Sequence, residues 1–232
     1  MMEMNKIHLL DCMEGMKHFP DNYFDLAIVD VPYGIKEDGR KTKGRNIRKD
    51  GSFIPKKIGD KTIIVKPKDY KLGEWDSNTP EKEYFTELKR VSKNQIIWGA
   101  NHLGEMPSSS CWIVWDKKNG YNDFADAELA YTSFKSAVRI FSWKWAGMLQ
   151  EDMKNKEHRI HPTQKPVQLY KWLLRNYAEK DFKILDTHVG SGSSIIAFEH
   201  FGCEWIGFEI DKDYYDAANK RIKNELAQVR LF

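Results

Sequence analysis

The stretch FDLAIVDVPYG, Phe24 to Gly34, decides how this chain folds. Phe24 to Val29 is an apolar run interrupted only by Asp25, the pattern of a strand buried on both faces of a parallel sheet. Pro32 and Gly34 then mark a turn, which leaves Asp30 at the carboxyl end of the strand. Ligands of open α/β sheets bind at that end. Asp30 supplies a carboxylate acceptor, Val31 a carbonyl, Pro32 stiffness and Tyr33 an aromatic face. Such a set suits a planar group that carries an amine.

Outward from this turn the chain alternates strands and helices. Ile7 to Leu10 reads as a strand ending at Asp11, and Met13 to Phe19 as a helix stopped near Pro20. Thr79 and Pro80 are the expected cap and first turn of a helix reaching Ser92, with Tyr84, Phe85, Leu88 and Val91 on one face. Gln95–Trp98, Cys111–Trp115 and Glu128–Thr132 read as strands. Thr163 is the expected cap of a further helix, with Pro166 in its first turn and Val167, Leu169, Tyr170, Leu173 and Leu174 on its apolar face.

The carboxyl-terminal third has the form of one Rossmann-like unit. A strand, Lys183 to Leu185, ends at Asp186, and Gly190 and Gly192 occupy the turn before a helix from Ser193 to His200. The next strand, Trp205 to Phe208, ends at Glu209, and Tyr214 to Ala227 closes the chain as a helix. Residues without Cβ in that turn let backbone approach a ligand closely. A dinucleotide fingerprint needs a third glycine where this chain has Ile195, and no Walker lysine follows, so neither a nicotinamide oxidoreductase nor a phosphate cradle is supported. Glu209, seventeen residues after Gly192, is placed to hold the ribose hydroxyls of a nucleoside cofactor.

Three segments together resemble one known family. Asp30-Val31-Pro32-Tyr33 is similar to the Asp-Pro-Pro-Tyr motif of DNA methyltransferases that modify adenine N6 or cytosine N4, and HPTQKP at His161–Pro166 and LDTHVGSGSS at Leu185–Ser194 match the same enzymes. Their order, catalytic motif first and cofactor motif last, is that of the permuted beta group, and the matches run from about Asp11 to Ile222. The resemblance implies a single α/β domain over residues 1–232: a Rossmann-like methyltransferase fold, mostly parallel, with helices on both faces and circularly permuted motifs.

It also implies roles. Asp30, Val31, Pro32 and Tyr33 form the catalytic turn, with Tyr33 stacking on a base flipped out of duplex DNA; core packing is the alternative for Tyr33. S-adenosylmethionine is the implied cofactor. Asp186, Gly190, Ser191 and Gly192 line its methionine part, Glu209 holds the ribose, and Asp11 with Cys12 edges the adenine; for Asp11 a helix cap is the competing reading. Thr163 and Lys165 close the methionine end, His188 packs where the family has an aromatic residue, and Asp30 borders the donor as well as the base. Two positions depart from the family pattern: Val31 replaces a proline, keeping the carbonyl, and Asp186-Thr187-His188 replaces Asp-Pro-Phe.

An aspartate opening the catalytic motif favours adenine N6, since cytosine-N4 enzymes more often open with serine. Cytosine N4 is the alternative base. A DNA-binding relative without catalysis is the alternative class, supported by Val31 and His188 and opposed by the joint presence of Asp30, Tyr33, Gly190, Gly192 and Glu209.

Composition is compatible with this reading. The 232 residues, 41% hydrophobic and 13% aromatic, suffice for one folded domain with its own core. No apolar run of about 18 residues predicts a membrane span, and the amino terminus has no signal-peptide core. Cys12, Cys111 and Cys203 lie far apart, which fits a reducing cytoplasm, and His158 with His161 lacks the further ligands of a metal site. Net charge is only +3, but Ile35 to Lys71 holds ten Lys and three Arg against five acids, a local balance of +8. Residues 35–72 are therefore expected to form a long basic loop, either simply solvated or mobile and closing over DNA. Target recognition is expected within residues 102–159, where Lys135, Arg139, Lys144 and Lys154 interleave with Phe141, Trp143 and Trp145; aromatics packed on the sheet are the other reading. Double-stranded DNA is the expected partner, and a homodimer is a candidate state because the beta group often forms dimers.

Overall fold

The computed structural model describes residues 2–36, 56–58, 61–63, 76–104, 106–119, 125–146 and 149–229. Its frame is one eight-stranded sheet. In chain order the elements are β1 (Lys6–Leu9), α1 (Cys12–Met16), β2 (Phe24–Asp30), β3 (Lys56–Ile58), β4 (Lys61–Ile63), α2 (Lys82–Val91), β5 (Ser92–Trp98), β6 (Trp112–Asp116), β7 (Ala127–Thr132) and β8 (Arg139–Ser142). They continue with β9 (Trp145–Ala146), β10 (Leu149–Gln150), α3 (Val167–Tyr177), β11 (Lys183–Asp186), α4 (Ser193–Phe201), β12 (Glu204–Glu209) and α5 (Lys212–Val229). The sheet order is β1-β12-β11-β2-β5-β7-β6-β8; β3–β4 and β9–β10 are separate hairpins. Strands β1, β12, β11, β2 and β5 are parallel, while β7 runs antiparallel to both β5 and β6.

Strand alternation explains why helices cover both faces. Leu26, Ile28, Ile96 and Trp98 point to one side, where they meet Leu169 and Leu173 of α3 and Ile195 and Ile196 of α4. Ala27, Val29 and Ile97 point to the other, against Met16 of α1 and Leu88 and Val91 of α2. All the residues just named are essentially fully buried, and each large aliphatic side chain contributes about 1.5–3 kcal/mol through burial. The apolar face expected for α3 is buried at all five positions. Among the described residues no helix is long and apolar enough to cross a membrane.

This architecture sets a row of acids along one edge. Asp11 follows β1, while Glu209, Asp186 and Asp30 end the neighbouring strands β12, β11 and β2. From β11 the chain passes to α4 on one face; from β2 it passes towards α2 on the other. The crevice of a doubly wound sheet opens where the connections diverge, here between Asp186 and Asp30.

Two expected helix caps are absent. Helix α2 begins at Lys82 with Glu81 at its N-cap and no side-chain cap bond, because Pro80 holds Thr79 extended and delays the first turn. Helix α3 begins after Pro166, and the amide of Val167 donates to Glu157 Oε1 at 3.0 Å, not to Thr163. Thr163 instead faces the ring of His161, with Oγ1 3.1 Å from Nδ1. The expected basic loop, residues 35–72, lies almost wholly outside the described residues. The stretch 102–159 contributes β6, β7 and β8 to the sheet; Phe141 and Trp145 are buried in the core, Lys135, Arg139 and Lys154 are exposed, and Lys144 is half-buried. Arg139 and Phe141 are two residues apart on β8, yet only Phe141 is drawn into the core.

Candidate active site

The turn after β2 is pinned from outside its own sequence. Asp76, buried, accepts the backbone N–H of Tyr33 at 2.7 Å and of Gly34 at 3.0 Å through one carboxylate oxygen. That bond pair fixes the direction in which Asp30 and Tyr33 leave the strand. Asp30 Oδ1 then accepts from the Tyr33 hydroxyl at 2.8 Å and from the Lys165 ammonium at 2.6 Å. Lys165 also touches Glu128 Oε2 at 3.0 Å, and Glu128 is held on its other oxygen by Lys117. The Lys165 side chain is 2% exposed, against 20% and 21% for Asp30 and Glu128.

Two carboxylates and two ammonium groups therefore share one largely buried cluster, and their protonation follows from it. Burial pushes the Asp30 carboxyl above its ordinary range; Lys165 opposes that rise and Glu128 adds to it. Burial also acts to raise Glu128, but Lys165 and Lys117 overcome it and hold the carboxyl down at about 2. For Lys165 burial favours the neutral amine, and the two flanking carboxylates outweigh it and keep the ammonium charged.

Tyr33 does more than present a ring. It stacks on His102, centroids 5.4 Å apart at 15°, and lies over Gly99 at the end of β5. A Cβ on Gly99 would stand 2.0 Å from the Tyr33 ring, so only glycine admits this packing. The Lys165 ammonium sits 5.2 Å from the same ring centroid. Lys165, expected from the sequence at the methionine end, is in direct contact with Asp30.

On the β11–β12 side the glycine turn is tied down by the acids themselves. Glu209 accepts the amide N–H of Gly190 at 2.8 Å and of Asp211 at 2.9 Å, and burial raises its carboxyl. Asp186 accepts from the His188 amide at 2.9 Å and from the Ser194 hydroxyl, and burial pushes it up to about 7. Gly190, at φ +52°, has nothing nearer than 4.0 Å where a Cβ would stand, so that side of the turn is open. Ser191 is buried, and its carbonyl accepts from Arg221 at 2.8 Å; the same guanidinium reaches Glu157 at 2.8 Å. The Ser191 hydroxyl stays within the turn, 3.2 Å from that of Ser193. Asp11 is the N-cap of α1, accepting from Met13 N at 2.8 Å and Glu14 N at 3.3 Å, so the capping reading of its carboxylate holds.

Two hollows meet here. The larger, about 350 Å³, runs past Pro32, Asn78, Thr79, Tyr84 and His188. The smaller, about 70 Å³, is lined by Asp11, His188, Glu209 and Ile210. Cys12 and His188 belong to both and join them. Burial holds the His188 ring neutral, near 4, and the ring packs edge-on against Tyr84 at 5.6 Å. Burial likewise pushes the Cys12 thiol up to about 12, so it serves as a wall, not a nucleophile.

Asp76, Tyr84, Lys117, Glu128 and Arg221 were not legible as site residues in the sequence. Glu128 alone carried a signal: a carboxylate inside a strand that otherwise reads Ala-Glu-Leu-Ala-Tyr-Thr. Asp76, Tyr84 and Arg221 act across long separations; Tyr84, for instance, bonds Thr187 at 2.6 Å from 103 residues away.

The chain is similar to known DNA methyltransferases in sequence and in fold. A family model described as DNA methylase matches residues 134–220. The type II methyltransferase M.HpaI of Haemophilus parainfluenzae is 35% identical over 246 aligned positions, covering 93% of this chain and 73% of that protein. Among solved structures, the M1.HpyAVI–SAM complex superposes with TM-score 0.52 at 18% identity, covering 93% of this chain and 98% of that one. PvuII DNA methyltransferase, described as cytosine-N4-specific, gives 0.55 at 13%, covering 97% and 92%. By that sequence identity over nearly its whole length, the chain belongs to the DNA amino-methyltransferase family, whose members modify adenine N6 or cytosine N4.

Proposed function

We propose that this chain transfers a methyl group from S-adenosylmethionine to the exocyclic N6 amine of adenine, in a base flipped out of double-stranded DNA. The observation that carries the proposal is the placement of Asp30, at the end of β2, beside the glycine turn, open at Gly190, that follows the adjacent strand β11. An amine acceptor and a backbone cradle for a cofactor thus flank one crevice.

The residues present fit S-adenosylmethionine. Glu209 offers a carboxylate for the ribose, Gly190 leaves open space on its Cβ side, and His188, Cys12 and Ile210 wall the joined hollows. Thr163 stands beside His161, whose ring borders the space over Gly190. When bound, the sulfonium supplies an electrophilic methyl group.

The chain's own residues prepare the nucleophile. A base amine is a poor nucleophile because its lone pair is conjugated with the ring. Asp30 accepts one of its N–H groups and the Val31 carbonyl accepts the other, which favours a pyramidal nitrogen with its lone pair directed outward. Asp30 and Val31 also align the amine, and alignment of this kind accounts for several kcal/mol of a barrier. As the nitrogen gains positive charge, the Asp30 carboxylate stabilises it. Tyr33 offers the flipped base an aromatic edge or face, offsetting an unstacking cost of a few kcal/mol.

Cytosine N4 is the second reading, favoured by the fold likeness to an N4-specific enzyme and by chemistry that serves either amine. Transfer of labelled methyl from S-adenosylmethionine to mixed-sequence duplex DNA, followed by digestion to nucleosides, separates them. Label in N6-methyladenine is the expected result; label in N4-methylcytosine keeps the mechanism and changes the base. Cofactor binding with no label on DNA would sink the proposal.

A further inference from the structure

We infer that Glu128, braced by Lys117, is a positioning residue for methyl transfer: it shares the Lys165 ammonium with Asp30 and so keeps the Asp30 carboxylate free to act on the amine. The inference rests on the methyl-transfer reading above and assigns a role to a strand residue outside all three motifs.

Two requirements conflict at Asp30. Lys165 lies 2.6 Å from Asp30 Oδ1, buried at the point where the reaction requires negative potential. Alone, this ammonium would neutralise Asp30 and repel a nitrogen acquiring positive charge. Glu128 removes the conflict by taking part of the same ammonium at 3.0 Å. Lys117 in turn prevents two carboxylates from being stranded around one cation. The Tyr33 hydroxyl, 2.8 Å from Asp30, 2.9 Å from Lys165 and 3.3 Å from Glu128, closes the ring of contacts. Glu128 and Lys165 arrive from β7 and the segment before α3, so the carboxylate positions a catalytic group across the sheet.

The groups around Asp30 are Tyr33 on its own turn, Lys165 before α3, Glu128 on β7 with Lys117 behind it, Tyr170 on α3 and Asp186 on β11. Of these, Glu128 and Asp186 disfavour the ionised carboxylate and Lys165 favours it. Opposite substitutions on Glu128 and Lys117 should therefore move the titration of Asp30 in opposite directions.

The test is the pH profile of kcat/KM for duplex DNA, measured for the full chain and for Glu128→Gln and Lys117→Gln, whose acid limb reports the ionisation of Asp30 in the free enzyme. For Glu128→Gln we expect kcat to fall by roughly tenfold or more, KM for DNA to change little, and the acid limb to move to lower pH. Lys117→Gln should move that limb to higher pH. A structural disturbance lowers the rate but gives no reason for the limb to move down in one variant and up in the other. An acid limb unmoved in both variants, or moved the same way in both, overturns the inference while leaving methyl transfer intact. If Glu128→Gln fails to fold, the direction of the limb in Lys117→Gln decides alone. Absence of any methyl transfer by the unmodified chain overturns the underlying reading, and the inference with it.

Discussion

Lys165 and Asp30 are 135 residues apart in sequence and 2.6 Å apart in space. One belongs to the HPTQKP segment, the other ends the central strand, so two of the three motifs meet through a single ion pair. The third motif, the glycine turn after β11, reaches the same crevice from the neighbouring strand. What joins them is the parallel order β11-β2-β5, which brings distant strand ends to one edge.

Removing the cation should be costly to stability. In Lys165→Met the carboxylates of Asp30 and Glu128 would face each other without their shared partner. Breaking a buried pair in this way costs about 3–5 kcal/mol, and partial exposure of the two acids places this case at the lower end. Denaturant unfolding at neutral pH measures it. A loss below about 1 kcal/mol, the range of an exposed ion pair, would show that water reaches the cluster.

Asp30→Ala separates chemistry from cofactor binding. Asp30 makes no bond to the glycine turn among the described residues; the amides of Gly190 and His188 are held by Glu209 and Asp186. Methyl transfer should vanish while S-adenosylmethionine affinity, read by calorimetry, stays within a few-fold. Loss of affinity in step with activity would reassign Asp30 to the cofactor.

The sequence made the strands legible because burial on both faces leaves an uninterrupted apolar run, as in Phe24–Val29, which the structure extends only to Asp30. It made the ends of those strands legible because each carries an acid. Caps were less readable: Thr79 and Thr163 have the right chemistry, but the prolines that follow hold the chain extended past them. Contacts that cross the sheet left almost no trace. Nothing near Asp76 shows that it holds Tyr33, and nothing near Lys165 distinguishes an ammonium facing a cofactor from one facing Asp30.

Acid should act on stability in two opposing ways. Burial holds His161 near 3 and His188 near 4, below their ordinary values, so both favour the fold at neutral pH and lose that contribution as pH falls below about 6.5. Asp186, pushed up to about 7, does the reverse: its folded form prefers the proton, so it gains stability as pH falls from about 7 towards 4. Thermal midpoints between pH 7 and 5 check this. Asp186→Asn should steepen the loss on acidification, and His188→Gln should flatten it; equal slopes in both variants would refute the assignment.

Gly99→Ala tests whether Tyr33 must lie where it does. The residue sits at φ +70°, where a side chain costs about 1–2 kcal/mol, and its methyl would collide with the Tyr33 ring at 2.0 Å. Tyr33 would have to leave His102 and release Asp30 and Lys165. Transfer should therefore fall at least as far as in Tyr33→Ala, and further than in Tyr33→Phe, which keeps the ring and loses only the hydroxyl bonds. Cofactor affinity should hold in all three, because the ring touches neither Glu209 nor the glycine turn in any bond the structure shows. If Tyr33→Phe loses as much activity as Tyr33→Ala, the hydroxyl's grip on Asp30 is the decisive contribution and ring stacking a minor one.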